Sequence, residues 1–119
     1  MICVSLFTIV LYFSVSVDPE IRVVNRSSVP IEQVRIQFPS QTEEYGTIPP
    51  KGVTEYRAVK IAYRYARIEA KVRGEEVLIQ PIDYVGEKQL SAGKYTYVLT
   101  VNEKATSKYN RLKLELRKD

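Results

Sequence analysis

Alternation of apolar and polar residues is the feature that most restricts the fold of this chain. From Asp18 onward, short runs with a period of two are separated by clusters of turn-forming residues. A period of two places the apolar side chains on one face of a β-strand, whereas the same run in a helix would spread them over every side. The pattern therefore predicts an antiparallel all-β domain.

The alternating runs define seven or eight short strands. The clearest is 94–101, in which Tyr95, Tyr97, Leu99 and Val101 share one face. Strands of this length and spacing, broken by turns such as Pro49-Pro50-Lys51-Gly52, are typical of a two-sheet sandwich. The predicted strands cover residues 21–25, 31–38, 42–48, 53–60, 66–73, 76–83, 94–101 and 109–116.

The segment 62–73 carries the main conflict between helix and strand. Its Ala, Glu, Lys and Arg content, followed by Gly74 as a C-cap, suits a helix. Residues 66–73 nevertheless alternate strictly, which favours a strand. We expect this strand to pair with 76–83 in a hairpin that turns at Arg73-Gly74-Glu75, with a helix as the alternative.

The residue types that are missing restrict the chemistry. The 119 residues fit one domain and include no histidine and a single cysteine, Cys3. A Ser/His/Asp or Cys/His nucleophile and a zinc site built on several thiolates therefore cannot be assembled. Paired carboxylates remain available, but no spacing identifies such a pair. We expect a non-catalytic domain with no metal and no cofactor.

Residues 1–17 differ from the rest of the chain because Ile2 to Val17 carries no charge. The run is shorter than the ~20 residues that span a bilayer, but it matches the apolar core of a secretory signal. Ser14 and Ser16 supply small residues before a cleavage point at Val17 or Asp18. No Lys or Arg precedes the run, and its β-branched and aromatic content also suits a buried first strand.

We expect export from this segment, and this expectation divides the chain in two. Residues 1–17 would be a signal-peptide-like or membrane-anchor segment, and residues 18–119 a single β-sandwich domain. The predicted location is the periplasm or cell envelope. Membrane contact is expected only through the N-terminal segment.

A tyrosine- and arginine-rich stretch is the first candidate binding surface. If alternate residues from Ala66 to Val72 face the core, the opposite face presents Tyr63, Tyr65, Arg67, Lys71 and Arg73. Exposed tyrosines beside arginine are favoured at binding surfaces, because they offer a large contact area with a polar tip. Cross-strand pairing on a solvated sheet face is the alternative, and a bulge near Arg64 would instead turn the tyrosines into the core.

The segment 81–87 is the second candidate. As a binding loop it would present Asp83, Tyr84 and Glu87 at one end of the sandwich. As a structural crossover, Pro81 would end a strand, Gly86 would allow an unusual backbone angle, and Asp83 would cap a turn. Two carboxylates fall short of the oxygen ligands that calcium requires, so no metal site is predicted.

The net charge of +4 is concentrated in part of the chain, since six basic residues lie between Arg57 and Arg73 against Glu69 alone. Solubility and protection of an edge strand are the favoured explanation. Contact with an envelope polyanion such as a wall polymer ranks second, and nucleic acid ranks last. The expected partner is another envelope protein or a wall polymer.

Two resemblances refine the fold. Leu90 to Tyr97 (LSAGKYTY) resembles the tyrosine corner of immunoglobulin-like sandwiches, and the resemblance implies that Tyr95 is the corner residue. Four stretches, with residues 93–97, are also similar to a group of small uncharacterised exported bacterial proteins, often lipoproteins: residues 21–25, 45–50, 62–66 and 80–87. This likeness implies an immunoglobulin-like sandwich in the envelope and brings no activity with it. The chain departs from the group because it has no evident lipid-attachment signal.

The leading hypothesis for function is a non-catalytic cell-envelope β-sandwich that acts as a structural or protein-interaction module. The alternative is a module that binds a glycan or peptide through the exposed Tyr/Arg face or the 81–87 loop.

Overall fold

The computed structural model describes residues 17–119, which form eight strands. The strands are β1 (Pro19–Asn25), β2 (Ile31–Gln37), β3 (Thr42–Ile48), β4 (Arg57–Ala58), β5 (Arg67–Val72), β6 (Glu75–Ile79), β7 (Gly93–Val101) and β8 (Leu112–Lys118). The predicted apolar segment 1–17 lies outside the described residues apart from Val17. Nowhere in residues 17–119 is there a helix with the length and apolar character to cross a membrane.

The strands form two four-stranded sheets, which confirms the predicted two-sheet sandwich. Sheet A has the order β4-β1-β7-β8, and sheet B has the order β3-β2-β5-β6. The ladders are antiparallel except that β1 runs parallel to β7, with Ile21 opposite Tyr95. A parallel pair requires a long crossover, and the chain supplies it by passing through sheet B between β1 and β7.

The conflict over residues 62–73 resolves in favour of a strand. The buried residues of β5 alternate with half-buried ones, as the sequence pattern predicts. A two-residue turn joins β5 to β6, and both Arg73 (φ 53°) and Gly74 (φ 79°) have positive φ. This is the backbone of a type I′ hairpin turn, whose twist matches that of the strands it connects.

The core lies between the sheets, and the buried hydroxyl of Tyr45 links the two sheets across it. Tyr45 on β3 donates a hydrogen bond of 2.9 Å to the Ile21 carbonyl on β1, so it joins sheet B to sheet A. Burial raises the pKa of Tyr45 far above its ordinary value of 10.0. Tyr97 on β7 is completely buried, and burial raises its pKa as well.

The two ends of the sandwich are formed by different sets of loops. We call the end at which β1 begins the entry end. It also contains the loops 38–41, 59–66 and 80–92. The opposite end, which we call the far end, contains residues 26–30, 49–53 and 102–111.

A buried amide fixes the far end. Asn25, at the last position of β1, is completely buried. The two hydrogens of its amide nitrogen are shared among three carbonyls, those of Val29 (2.8 Å), Ile48 (3.0 Å) and Pro49 (3.2 Å). Its side-chain oxygen accepts a hydrogen bond of 2.8 Å from the Ser27 backbone amide. One side chain therefore satisfies backbone groups from two chain segments, 27–29 and 48–49, as a buried polar group must.

Candidate functional site

The two candidate segments meet at the entry end and form one cluster. Tyr84 stacks on Tyr63, with ring centroids 4.6 Å apart, and on Tyr65, with centroids 5.5 Å apart. The planes are inclined by 15° and 17°, within the offset-stacked geometry that aromatic pairs prefer. The ring of Tyr84 is therefore engaged within the protein.

Polar contacts hold the same cluster together. The Tyr65 hydroxyl donates to the Asp83 carbonyl at 3.1 Å, and Arg64 Nε lies 2.8 Å from Glu87 Oε1. Burial, followed by the Glu87 charge, raises the pKa of Tyr65. Burial also raises the pKa of Tyr84. We call Tyr63, Arg64, Tyr65, Asp83, Tyr84 and Glu87 the tyrosine cluster.

The structure corrects the predicted position of two tyrosines. The strand β5 begins at Arg67, so Tyr63 and Tyr65 precede it and do not lie on an exposed sheet face. They pack instead against the loop 80–92, where both rings stack on Tyr84. The prediction of one continuous Tyr/Arg sheet face is wrong.

The loop itself has the turn structure that a structural role for 81–87 requires. Asp83 Oδ1 accepts a hydrogen bond of 3.0 Å from the Val85 amide, and Gly86 has a φ of 80°. The Glu87 amide closes the turn on the Tyr84 carbonyl at 3.0 Å. Asp83 therefore caps this turn, a common role for aspartate.

Arg67 and Lys71 belong to a separate feature, a groove on the outer face of sheet B. Its volume is about 570 Å³. Side chains of both charges line it, namely Arg35, Glu44, Arg67, Glu69, Lys71, Glu76 and Lys108, together with Gln33 and Leu78. Arg67 pairs with Glu69 at 2.9 Å, while Lys71 lies opposite Glu76 in the β5–β6 ladder. Arg73 lies outside the groove, in the hairpin turn, and pairs with Glu103.

Exposed aliphatic residues at the tip of the loop 80–92 are not predicted by the sequence reasoning. Ile82 is 99% exposed and Val85 is 87% exposed. The predicted strand 76–83 included Ile82, but β6 ends at Ile79, so Ile82 lies in the loop. Val85 lies in the turn-rich segment that follows, where no period of two assigns it to a core face. The charged and aromatic residues between them are the more conspicuous feature of the segment.

The remaining predicted site residue, Tyr95, is buried at the start of β7. Its hydroxyl donates to the Ser91 carbonyl at 3.0 Å, which is the contact that the tyrosine-corner resemblance implied. No group of three or more potential metal ligands occurs among the residues that the structure describes.

A second polar network covers the outer face of sheet A. The Asp119 carboxylate accepts hydrogen bonds from Thr96 (2.6 Å), Tyr56 (2.5 Å) and Arg117 (3.2 Å), and Arg22 lies 3.5 Å away. Burial alone would raise the pKa of Asp119, but these hydrogen bonds and the Arg22 charge outweigh it and lower the pKa to about 2. The hydroxyl of Thr96, completely buried, is satisfied by this network.

Comparisons with known proteins bear on the fold alone. No family model matches the chain, and no curated protein matches it. The chain is similar to an NMR structure of a protein from Eubacterium rectale, with a TM-score of 0.55 and 10% sequence identity over 85% of this chain and 87% of that one. At this identity the likeness supports a shared arrangement of strands and says nothing about activity.

Proposed function

We propose that the protein is a non-catalytic β-sandwich of the cell envelope, directed there by residues 1–17, and that it acts as a protein-interaction module. The groove on the outer face of sheet B carries this proposal. It is a concave surface with charges of both signs, and Arg67 and Lys71 lie within it. Such a surface suits a polar partner whose positive groups face the groove's acidic residues and whose negative groups face its basic residues.

The partner is expected to contact side chains in the groove and not the β6 edge of sheet B, which lies beside the groove. The neighbouring edge strand β6 already has a hydrogen bond from the Leu78 amide to the Lys108 carbonyl, at 3.0 Å. This bond occupies part of the backbone to which an added strand would pair. Recognition therefore rests on groups such as Lys71 and Glu76 in the groove.

The non-catalytic part of the proposal rests on residue types and on how the tyrosine cluster uses its own. The chain contains no histidine. Glu87 is paired with Arg64, Asp83 caps a turn, and Tyr65 is bonded to the backbone. Each of these groups serves to hold the loop 80–92, which supports a structural role for them.

A ligand-binding module for a glycan or peptide is the second candidate, and the size of the groove favours it. A volume of about 570 Å³ lies within the range of small-ligand sites. The stacked Tyr84 is less suitable for a sugar, because its ring is engaged by Tyr63 and Tyr65. A glycan or peptide would therefore be expected in the groove.

Compartment fractionation tests the location. We expect the native protein in the envelope fraction, as a chain that begins near Val17 or Asp18 or as a chain that retains residues 1–17 in the membrane. Intact mass and N-terminal sequencing distinguish the two forms. A full-length protein found only in the cytosol contradicts the proposal.

Photo-crosslinking in the native cell tests the groove. We expect a crosslinking amino acid in place of Glu76, which is exposed at the groove, to give an adduct of discrete mass. The matched control replaces Lys113, which is exposed on β8 of sheet A. Equal labelling from both positions, or none from either, would contradict recognition through the groove.

A further inference from the structure

Exposed apolar residues are concentrated at the entry end. Five large hydrophobic residues are exposed within residues 17–119, and three of them, Val17 (82%), Ile82 and Val85, lie at this end. Ile82 and Val85 are held in position on the loop, because the stacked ring of Tyr84 and the turn capped by Asp83 hold the backbone between them. The tip therefore presents two aliphatic side chains to solvent from a turn that is tied to the rest of the domain.

The uncharged segment is joined to the domain at this same end. Ile2 to Val17 carries no charge, and only Asp18 separates Val17 from Pro19, the first residue of β1. A chain extends at most ~3.5 Å per residue, so Pro19 lies within roughly 7 Å of Val17. If the uncharged segment is in the membrane, this end of the sandwich must lie in or against the headgroup region, which is ~5–7 Å thick on each side.

We propose that the entry end is a membrane-docking surface, with Ile82 and Val85 inserted into the bilayer interface beside the N-terminal segment. The inference rests on the form of the proposed function in which residues 1–17 are retained in the membrane, and a native chain that begins near Val17 or Asp18 would overturn it. It adds a second membrane contact, made by the folded domain. That contact would fix the orientation of the sandwich relative to the membrane. The groove on the outer face of sheet B would then remain accessible to a partner.

The residues around the tip fit a bilayer interface. Three tyrosines lie in the tyrosine cluster, and tyrosine is enriched where membrane meets water because its ring is apolar and its hydroxyl is polar. Lys60 and Lys88 are exposed at the same end and can reach headgroup phosphates. Two acidic residues lie at this tip: Glu87 is paired with Arg64 at 2.8 Å, and the exposed Asp83 accepts a hydrogen bond from the Val85 amide. A bilayer therefore suits this surface.

The absence of tryptophan from the sequence permits a direct test. The full chain carrying Ile82→Trp would be reconstituted with phosphatidylcholine and phosphatidylglycerol vesicles whose acyl chains carry bromine, which quenches nearby tryptophan. Val85→Trp provides a second reporter on the tip. The matched control is Tyr109→Trp, because Tyr109 is 55% exposed at the far end. Flotation establishes whether the chain is bound to the vesicles.

We expect the chain to float, and the tryptophan at position 82 or 85 to show a blue-shifted emission and at least a twofold loss of intensity with brominated lipid. The Tyr109→Trp control should show neither change. A chain that floats while the tip tryptophans remain unshifted and unquenched overturns the docking surface alone, and the tip is then left for a protein partner. A chain that does not float overturns the membrane segment and the docking surface together.

Discussion

Replacement of Asn25 by alanine should be among the most damaging single changes at the far end. Asn25→Ala removes a side chain that makes four polar contacts with the backbone, three of which share the two amide hydrogens. Nothing in alanine replaces them, and the site is closed to water because Asn25 is completely buried. The backbone groups around it would therefore lose their partners.

The expected loss follows from the burial of each bond. The bonds to the Ile48 carbonyl and from the Ser27 amide are fully buried, and we assign each about 1–1.5 kcal/mol. The bonds to Val29 and Pro49 are partly buried and contribute less. The total is about 3 kcal/mol, a large part of the ~5–15 kcal/mol that stabilises a domain, and it should lower Tm by about 14 °C.

Urea and thermal unfolding followed by circular dichroism measure this loss. The matched control is Asn110→Ala, because Asn110 is exposed in a far-end loop, and its free energy of unfolding should change by less than about 0.5 kcal/mol. A loss below about 1 kcal/mol for Asn25→Ala, with an unchanged m-value, would refute the reasoning.

Three further changes test other parts of the structure. Tyr84→Ala should speed hydrogen exchange throughout 80–92 while it lowers the free energy of unfolding by only about 1 kcal/mol, because Tyr84 is partly exposed; unchanged exchange would refute its role in holding the loop. Tyr45→Phe should cost about 1–1.5 kcal/mol, since it leaves the buried Ile21 carbonyl without its donor, and equal stability in urea would contradict that assignment. The pKa of Asp119 falls from 3.8 to about 2 on folding. The ionised carboxylate therefore stabilises the folded state fully above pH 3.8, and this contribution is lost as the pH falls through about 2. Thermal unfolding should therefore show Asp119→Asn to be less stable than the parent near neutral pH, by no more than about 1 kcal/mol at this surface site, with the difference disappearing near pH 2; a constant difference would refute the linkage.

Most of the strands could be predicted from the sequence because one face of each is buried. In β2 the alternation of Val34 and Ile36 with exposed neighbours defines both the strand and its inner face. The strand β3 has the predicted bounds, Thr42–Ile48, although its alternation is weaker. The segment 62–73 shows the same principle, since strict alternation outweighed helix propensity there.

The pairing of strands and the geometry of the loops were less accessible. The sequence of Pro19–Asn25 does not indicate that this strand pairs in parallel with β7. Its apolar alternation is local and carries no information about a partner strand some seventy residues away. Tyr63 and Tyr65 have the spacing of a strand, yet they lie before β5 and pack on Tyr84. Their position depends on the path of the loop 80–92, which no periodicity describes.

The candidate residues divide between two separate surfaces, one for each of the two proposed contacts. Tyr63, Tyr65 and Tyr84 are engaged in contacts that fix a loop, and that loop presents Ile82 and Val85 to solvent at the entry end. Arg67 and Lys71 lie instead on the outer face of sheet B, in the groove. An end that contacts the bilayer and a side face that contacts a partner do not compete for the same surface. Substitutions in the groove should therefore change partner contact without changing vesicle quenching at the tip, and substitutions at the tip should do the reverse.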